Sequence, residues 1–218
     1  METTDMKDIA IYGAGGFGRE VACLIRIVNE KESTWNLIGF FDDGKEIGTE
    51  NEYGKILGGI KELNAWNKPL DVAIAIGSPK YIELISTRTT NPFISFPNII
   101  APNTIFLDKD NTTMGKGNII CIGCLLSSNT HLGDFNVLNG FITIGHDTII
   151  GNYNAIMPAV RISGEVTIGN NNFFGVSSVV LQQIKIGKNV MLGANSVLIR
   201  KSKDGNTYIG NPATIVKY

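Results

Sequence analysis

Apolar residues recur at every sixth position, without a break in phase, from Met114 through Ile120, Leu126 and Leu132 to Leu198. Gly follows the apolar residue at 115, 133, 145, 151, 169, 175, 187 and 193. Two positions before it the chain is small or β-branched, as at Cys124, Thr130, Thr148, Val160, Val166, Ser178, Val190 and Ser196. A period of six fits neither a helix of 3.6 residues per turn nor an alternating strand. It predicts a parallel β-helix in which each hexapeptide is one short strand and a turn, and three hexapeptides make a coil of about 18 residues. The aliphatic residue points inward, and the glycine after it is expected to take turn dihedrals that disfavour a side chain. No coil can bury its interior alone, so stability has to come from stacking.

The first hundred residues follow a different pattern. Asp8 to Tyr12 reads as a buried strand that runs into Gly13-Ala14-Gly15-Gly16-Phe17-Gly18. A helix from Arg19 to about Glu30 follows, with Val21, Ala22, Leu24, Ile25 and Val28 on one face. Leu37–Phe41 and Val72–Ile76 read as further strands and Lys80–Arg88 as a helix, which predicts a small parallel sheet of about three strands. Phe96 to Pro102 reads as the link between domains, and 103–113 as an imperfect first coil. The fold class is therefore α/β plus all-β, with a Rossmann-like domain over 1–100 and a β-helix over 101–218.

Composition narrows the function. The chain has 218 residues, a net charge of −1 and a pI near 6.1, which gives no basic surface for nucleic acid or an anionic membrane. No apolar run is long enough to span a bilayer, and METTDMKDIAIYG lacks a signal pattern, so a cytoplasmic protein is expected. Cys121 and Cys124 have the C-x-x-C spacing of redox or zinc sites, but Cys124 falls on a small interior position of the repeat and no second ligand pair exists. Both read as packing residues, and no metal is expected.

Two places carry candidate chemistry. The glycines of 13–18 match a turn that brings backbone N–H groups to an anion at a helix N-terminus, and Asp42-Asp43 end a strand where open α/β sheets bind ligands. The readings there are a nucleotide or nucleotide sugar, NAD, or a structural turn. In the repeat, His146 lies two residues past inward Ile144, so it projects from a corner, with Asp147 beside it. An imidazole is the usual general base near neutral pH. One coil on, at 164, stands Gly164, leaving a wall without a side chain beside His146 and a backbone N–H for a developing oxyanion. Asn139, seven residues before His146, offers a polar contact to substrate. His131 precedes inward Leu132 and reads as a surface residue.

IAIYGAGGFGRE, GFFDD, the hexapeptides, LNGFITIGHDTIIG and YIGNPATIV together resemble the left-handed β-helix acyltransferases that acetylate amino sugars. The resemblance is to the branch with an N-terminal Rossmann-like nucleotide-sugar domain, which includes sialic-acid O-acetyltransferase-like proteins and the N-acetyltransferases of bacillosamine and perosamine synthesis. It implies a left-handed coil and a homotrimer with sites between adjacent β-helices. It also implies acetyl-CoA as acyl donor, lying along the outer groove, and a nucleotide amino sugar held by the N-terminal domain. The catalytic pair then falls on His146 and Asp147, the substrate-contacting Asn on Asn139, and the thioester-facing amide on Gly164. The nucleotide-holding residues fall on Gly13, Gly15, Gly16, Asp42 and Asp43. Phe17 and Ala155 stand where the family often has histidine, and Thr214 where it often has lysine. The reaction expected is N-acetylation by direct attack, with sugar O-acetylation and a non-catalytic nucleotide-sugar-binding protein as alternatives.

Overall fold

The computed structural model describes residues 6–216, so the N-terminal Met-Glu-Thr-Thr-Asp part of the leader reading, and the last two residues of 101–218, lie outside it. The N-terminal part runs β1 (Lys7–Tyr12), α1 (Gly16–Lys31), β2 (Trp35–Phe41), β3 (Glu50–Asn51), β4 (Gly54–Gly58), α2 (Ile60–Asn64), β5 (Leu70–Ile74), α3 (Pro79–Arg88) and β6 (Ile94–Ser95). These strands form a sheet in the order β3-β4-β2-β1-β5-β6, parallel except for the β3–β4 hairpin. The sheet is thus twice as wide as the expected three strands. The missed strands β3 and β6 have two residues each, and β4 is bracketed by glycines, so none carries enough period-2 pattern to be seen.

Ile9, Ile11, Phe40, Phe41 and Val72 are fully buried in the sheet, and α1 lays Val21, Leu24 and Ile25 on it. Each such side chain contributes roughly 1.5–3 kcal/mol by leaving water. Gly18 is required by contact: a Cβ there would overlap the carbonyl of Gly13, so glycine lets the helix close on the turn that starts it.

From Ile99 the chain winds as a left-handed parallel β-helix with three faces. Strands starting at Ile99, Ile119, Val137, Ala155, Phe173 and Met191 stack on the first face. Those at Ile105, Leu125, Thr143, Arg161, Val179 and Val197 form the second, and those at Thr113, His131, Ile149, Thr167 and Lys185 the third. The register is eighteen, as in Leu138 against Ile156, except in the first coil, where Ile100 meets Ile120 and the extra residues sit within 107–112. The expected link at 96–102 is largely absorbed into this first coil. The chain ends in the hairpin Thr207–Gly210 and Ala213–Val216, on the last turn of which lies Pro212; Thr214 is exposed there.

The hexapeptide's apolar residues from Ile120 to Leu198 are buried, with Met114 packed at the end of the column. The glycines that follow them do not have left-handed dihedrals, contrary to the expectation. That conformation falls two residues later, at Asn129, Phe141, Asp147, Ala159, Glu165 and their non-glycine equivalents, with φ between 52° and 63°, and at Gly117 and Gly123, with φ 70° and 71°. The glycines are needed because the coils approach closely. A Cβ on Gly145 would run into Ser163 and Gly164 of the next coil, and one on Gly169 would lie 2.6 Å from the Gly187 carbonyl.

A second column runs inside the corner between the third and first faces. Asn118, Asn136, Asn154 and Asn172 are fully buried. The Nδ2 of each donates to Oδ1 of the asparagine one coil earlier at 3.0–3.1 Å, beginning at Asn98. Their main-chain N–H groups donate to the same oxygens, and Val190 N closes the column on Asn172 Oδ1 at 2.8 Å. Asn172 therefore belongs to the interior.

The N-terminal sheet covers the first face. Ile99, Ile119 and Cys121 pack with α1, and Phe135 packs with Leu63 and Leu70, stacks on Tyr153 at 5.7 Å and meets Phe96 edge-on at 5.1 Å. Asn171 also donates to Glu83 of α3 at 2.9 Å.

Candidate active site

The corner between the second and third faces carries His146. Ile144 and Ile150 anchor the two strands inside, and Thr148 is buried between them. The Asp147 N–H donates to the Ser128 carbonyl in the coil before, and Glu165 N–H donates to the His146 carbonyl from the coil after, at 3.0 and 2.7 Å. The backbone is thus held from both sides, and Asp147 adopts φ 55°, which turns its carboxylate back toward the preceding imidazole. His146 Nδ1 and Asp147 Oδ2 are 2.8 Å apart, with the side chains 54% and 50% exposed. With Nδ1–H donating to the carboxylate, Nε2 of the neutral ring carries the lone pair. Asp147 Oδ1 accepts from Asn129 Nδ2 at 2.7 Å, and this bond, then the one to His146, holds the carboxyl below the usual carboxylate range.

Gly164 lies against that ring. A Cβ there would fall 2.5 Å from Nε2 and 2.7 Å from Cε1. The bare wall expected beside His146 is therefore filled by the imidazole itself, and glycine is what gives the ring its place. The Gly164 carbonyl accepts from Gln183 N at 3.1 Å, while its N–H has no hydrogen-bond partner among the described residues.

Asn139 is not brought to His146 within the chain. It stands at the corner before the second face, His146 at the corner after it. Its Oδ1 accepts from Gly140 N at 2.8 Å, and it lines an apolar cleft of about 380 Å³ with Cys23, Ile27, Ile122, Phe141 and Pro158. Cys124 is buried and Cys121 half-buried; burial pushes their thiols up to about 11 and about 12, so both remain protonated and unreactive near neutral pH.

At the N-terminal turn, Gly13 has φ 109° and its Cβ would meet the Ala75 carbonyl at 2.7 Å, so the residue must be glycine. Gly15 and Gly16 face open space. Asp42 accepts from Ala14 N and Gly44 N, both at 2.8 Å, and so ties the glycine turn to the end of β2. Asp43 accepts from Tyr12 Oη at 2.6 Å and from Ile60 N at 2.9 Å. Burial, then this bond to Asp43, pushes the Tyr12 hydroxyl's pKa up. Both carboxylates therefore shape the turn as well as lining a cleft of about 340 Å³ with Gly13, Tyr81 and Arg88. Gly15 opens on a neighbouring cleft of about 310 Å³ beside Arg19, Lys45 and Asn51. Phe17 is half-buried among apolar neighbours, and Ala155 is fully buried, leaving no room for a ring at that position.

Sequence reasoning missed Asn129 and the engagement of His131. His131 does face outward, but it is half-buried and both its nitrogens have partners. The step of eighteen that leads from His146 to Gly164 leads equally from Asp147 back to Asn129. Among the described residues no group of three or more His, Cys, Asp or Glu side chains is arranged to hold a metal ion, and no helix is long and apolar enough to cross a membrane.

Comparison with known proteins adds two family matches. Residues 8–88 match the PglD N-terminal domain, and 165–200 match the bacterial transferase hexapeptide, six repeats. No curated protein sequence matches the chain. Among solved structures, the acetyltransferase domain of PglB from Neisseria gonorrhoeae FA1090 is 25% identical, with a TM-score of 0.86 over 96% of this chain and 100% of that one. It has also been solved in complex with acetyl coenzyme A. WeeI from Acinetobacter baumannii AYE is 27% identical, with a TM-score of 0.81 over 97% and 100% of the two chains. PerB from Caulobacter crescentus, solved in complex with CoA and GDP-perosamine, is 21% identical with a TM-score of 0.84 over 98% and 99%, a likeness of fold.

Proposed function

This chain is a hexapeptide-repeat acetyltransferase of the left-handed β-helix class with a PglD-type N-terminal domain, and from that premise we propose that it transfers the acetyl group of acetyl-CoA to the amino group of a nucleotide-linked amino sugar. The observation that carries the reading is the His146–Asp147 pair at 2.8 Å, with Nε2 beside Gly164 and its unpartnered N–H. PglB and PerB, which share the fold across nearly the whole chain, are an acetyltransferase domain and a protein that binds CoA and GDP-perosamine.

In this reading the neutral amine attacks the thioester carbonyl, and His146 Nε2 takes the proton the nitrogen loses. Asp147 holds the ring in the tautomer that leaves Nε2 free and stabilises the imidazolium that forms. The Gly164 N–H donates to the tetrahedral oxyanion. The C–S bond then breaks, and the proton passes from His146 to the departing sulfur. No acyl-enzyme is needed.

The N-terminal domain, 1–100, would hold the nucleotide sugar by the Gly13, Gly15 and Gly16 turn and the Asp42–Asp43 cleft, and 101–218 would carry the transfer. That domain covers the first face, whereas His146 stands at the corner opposite it. The two half-sites therefore meet only if another copy supplies one of them, which is in keeping with the homotrimer that the resemblance implies. Asn139 would then reach the substrate beside His146 of another copy. Exposed Phe141, Ile149, Val176 and Met191 supply apolar surface for such contacts.

Replacing His146 with Ala should lower kcat by roughly 10²- to 10⁴-fold while leaving CoA binding and assembly intact. Wild-type turnover in that variant overturns the base. Acetyl-CoA consumption with hydroxyl but not amine acceptors overturns N-acetylation.

A further inference from the structure

Four side chains on three successive coils are connected to His146 in one line of hydrogen bonds. Thr113 Oγ1 and His131 Nδ1 are 2.7 Å apart, and His131 Nε2 lies 3.1 Å from Asn129 Oδ1. Asn129 Nδ2 donates to Asp147 Oδ1 at 2.7 Å, and Asp147 Oδ2 accepts from His146 Nδ1 at 2.8 Å. One assignment of protons satisfies every link. The Thr113 hydroxyl donates to His131 Nδ1, His131 Nε2–H donates to the Asn129 carbonyl, and this fixes the Asn129 amide with its NH₂ toward Asp147. Reversing the amide would set its carbonyl against the carboxylate and its NH₂ against an N–H donor. The line needs a left-handed residue at 129, which points the side chain along the stack, and a step of eighteen between 113 and 131 and between 129 and 147.

We infer that Asn129, locked by His131, is a positioning residue for the reaction: it occupies one oxygen of Asp147, turns the other to His146 Nδ1, and so keeps Nε2 of His146 as the free base. A carboxylate that is half exposed, as Asp147 is, would otherwise rotate and share both oxygens with water. The inference rests on the reading of His146 as the base.

The corner column continues as Glu165 and Gln183, whose side chains pair at 3.2 Å, so each carboxylate of the column has its own amide and Asp147 is not drawn upward. The titratable groups bonded to Asn129 and Asp147 are His131 and His146, and Glu165, one coil on from Asp147, bonds to Gln183 instead. The position also has a backbone requirement, φ 52°, that the other corners of the coil share whether or not they stand beside His146. Gly and Asp both meet that requirement, which separates the two roles.

The test compares Asn129→Gly and Asn129→Asp with wild type and His146→Ala by steady-state kinetics, using acetyl-CoA and a nucleotide amino sugar on which wild type turns over. Both substitutions suit the left-handed corner, yet both remove the NH₂. Each should lower kcat by roughly tenfold, with KM for acetyl-CoA unchanged. N129D should in addition move the acid limb of the pH–rate profile upward, because its negative charge beside Asp147 favours the imidazolium. His131→Phe should show a smaller loss of kcat, and His131→Gln, which keeps a donor near Asn129 Oδ1, should restore it. Wild-type kcat and pH profile in both Asn129 variants, with His146→Ala inactive, overturns the positioning role alone. If His146→Ala is active, the base reading itself fails.

Discussion

The imidazole of His146 occupies the space that a side chain on Gly164 would need, so one residue's missing Cβ is the other's seat. The two lie one coil apart in the same corner column. The glycine thus serves the ring by steric vacancy.

Gly164→Ala should therefore act as a displacement of the base. The added methyl would fall 2.5 Å from Nε2, and the exposed ring gives way more easily than the backbone of two stacked coils. A shift of about 1 Å at a reacting group costs up to roughly 100-fold in rate. Kinetics should show kcat reduced by about 10- to 100-fold with the melting temperature within a few degrees of wild type. An unchanged kcat would mean that the ring is not used where it lies.

The state of Asp147 sets a pH expectation. Its carboxyl is held below the usual range by Asn129 and then by His146, so it is ionised throughout the neutral and mildly acid range. Its stabilising contribution is present above the ordinary carboxylate pKa and is lost only as pH falls through the lowered folded value. Asp147→Asn removes this dependence, the negative charge and one of the two acceptor oxygens, so Asn129 Nδ2 and His146 Nδ1–H must share the single amide oxygen that remains. The variant should lose kcat at every pH, and its melting temperature should fall less than that of wild type on acidification below about pH 4, as scanning calorimetry across that range would register.

Asn154→Leu should be among the most destabilising changes in the β-helix. The substitution would leave the Asn172 N–H and one Nδ2 hydrogen without an acceptor and would take the Nδ2 donor from Asn136 Oδ1, which keeps only the main-chain N–H of residue 154, all inside the prism. An unsatisfied buried donor costs roughly 1–3 kcal/mol, so urea unfolding should show a loss of about 3 kcal/mol or more. A loss below about 1 kcal/mol would mean that water reaches the column.

The contrast between the two columns explains what could be read in advance. Ile144, Ile150 and Ile156 advertise themselves because one residue in six is apolar without exception, and the three-faced coil follows from that period. Asn118, Asn136, Asn154 and Asn172 repeat just as regularly, but at eighteen, and asparagine is a common turn residue, so the spacing carries no alarm until the coil length is applied to polar positions too. The turn glycines were placed correctly and explained wrongly: Gly145 is small because the next coil is close, while the left-handed residue is Asp147. His146, Asp147 and Gly164 could be set beside one another by counting. Asn129 needed only the same count run backward, but His131 needed its rotamer, which no period supplies. In the N-terminal part, Asp42 and Asp43 could be placed at a strand end but not seen to shape the turn, because their donors, Ala14 N and Ile60 N, are backbone groups invisible to side-chain patterns.

The buried asparagine column also makes the protein countable in whole turns. Between Asn118 and Asn172, duplication or loss of eighteen consecutive residues returns every donor to an identical acceptor, whereas a shift of six carries an asparagine to a corner that has none. Extra residues are accommodated where they loop out between strands, as within 107–112, and a whole turn gained beyond Asn172 would lengthen the prism while leaving the corner of His146 untouched.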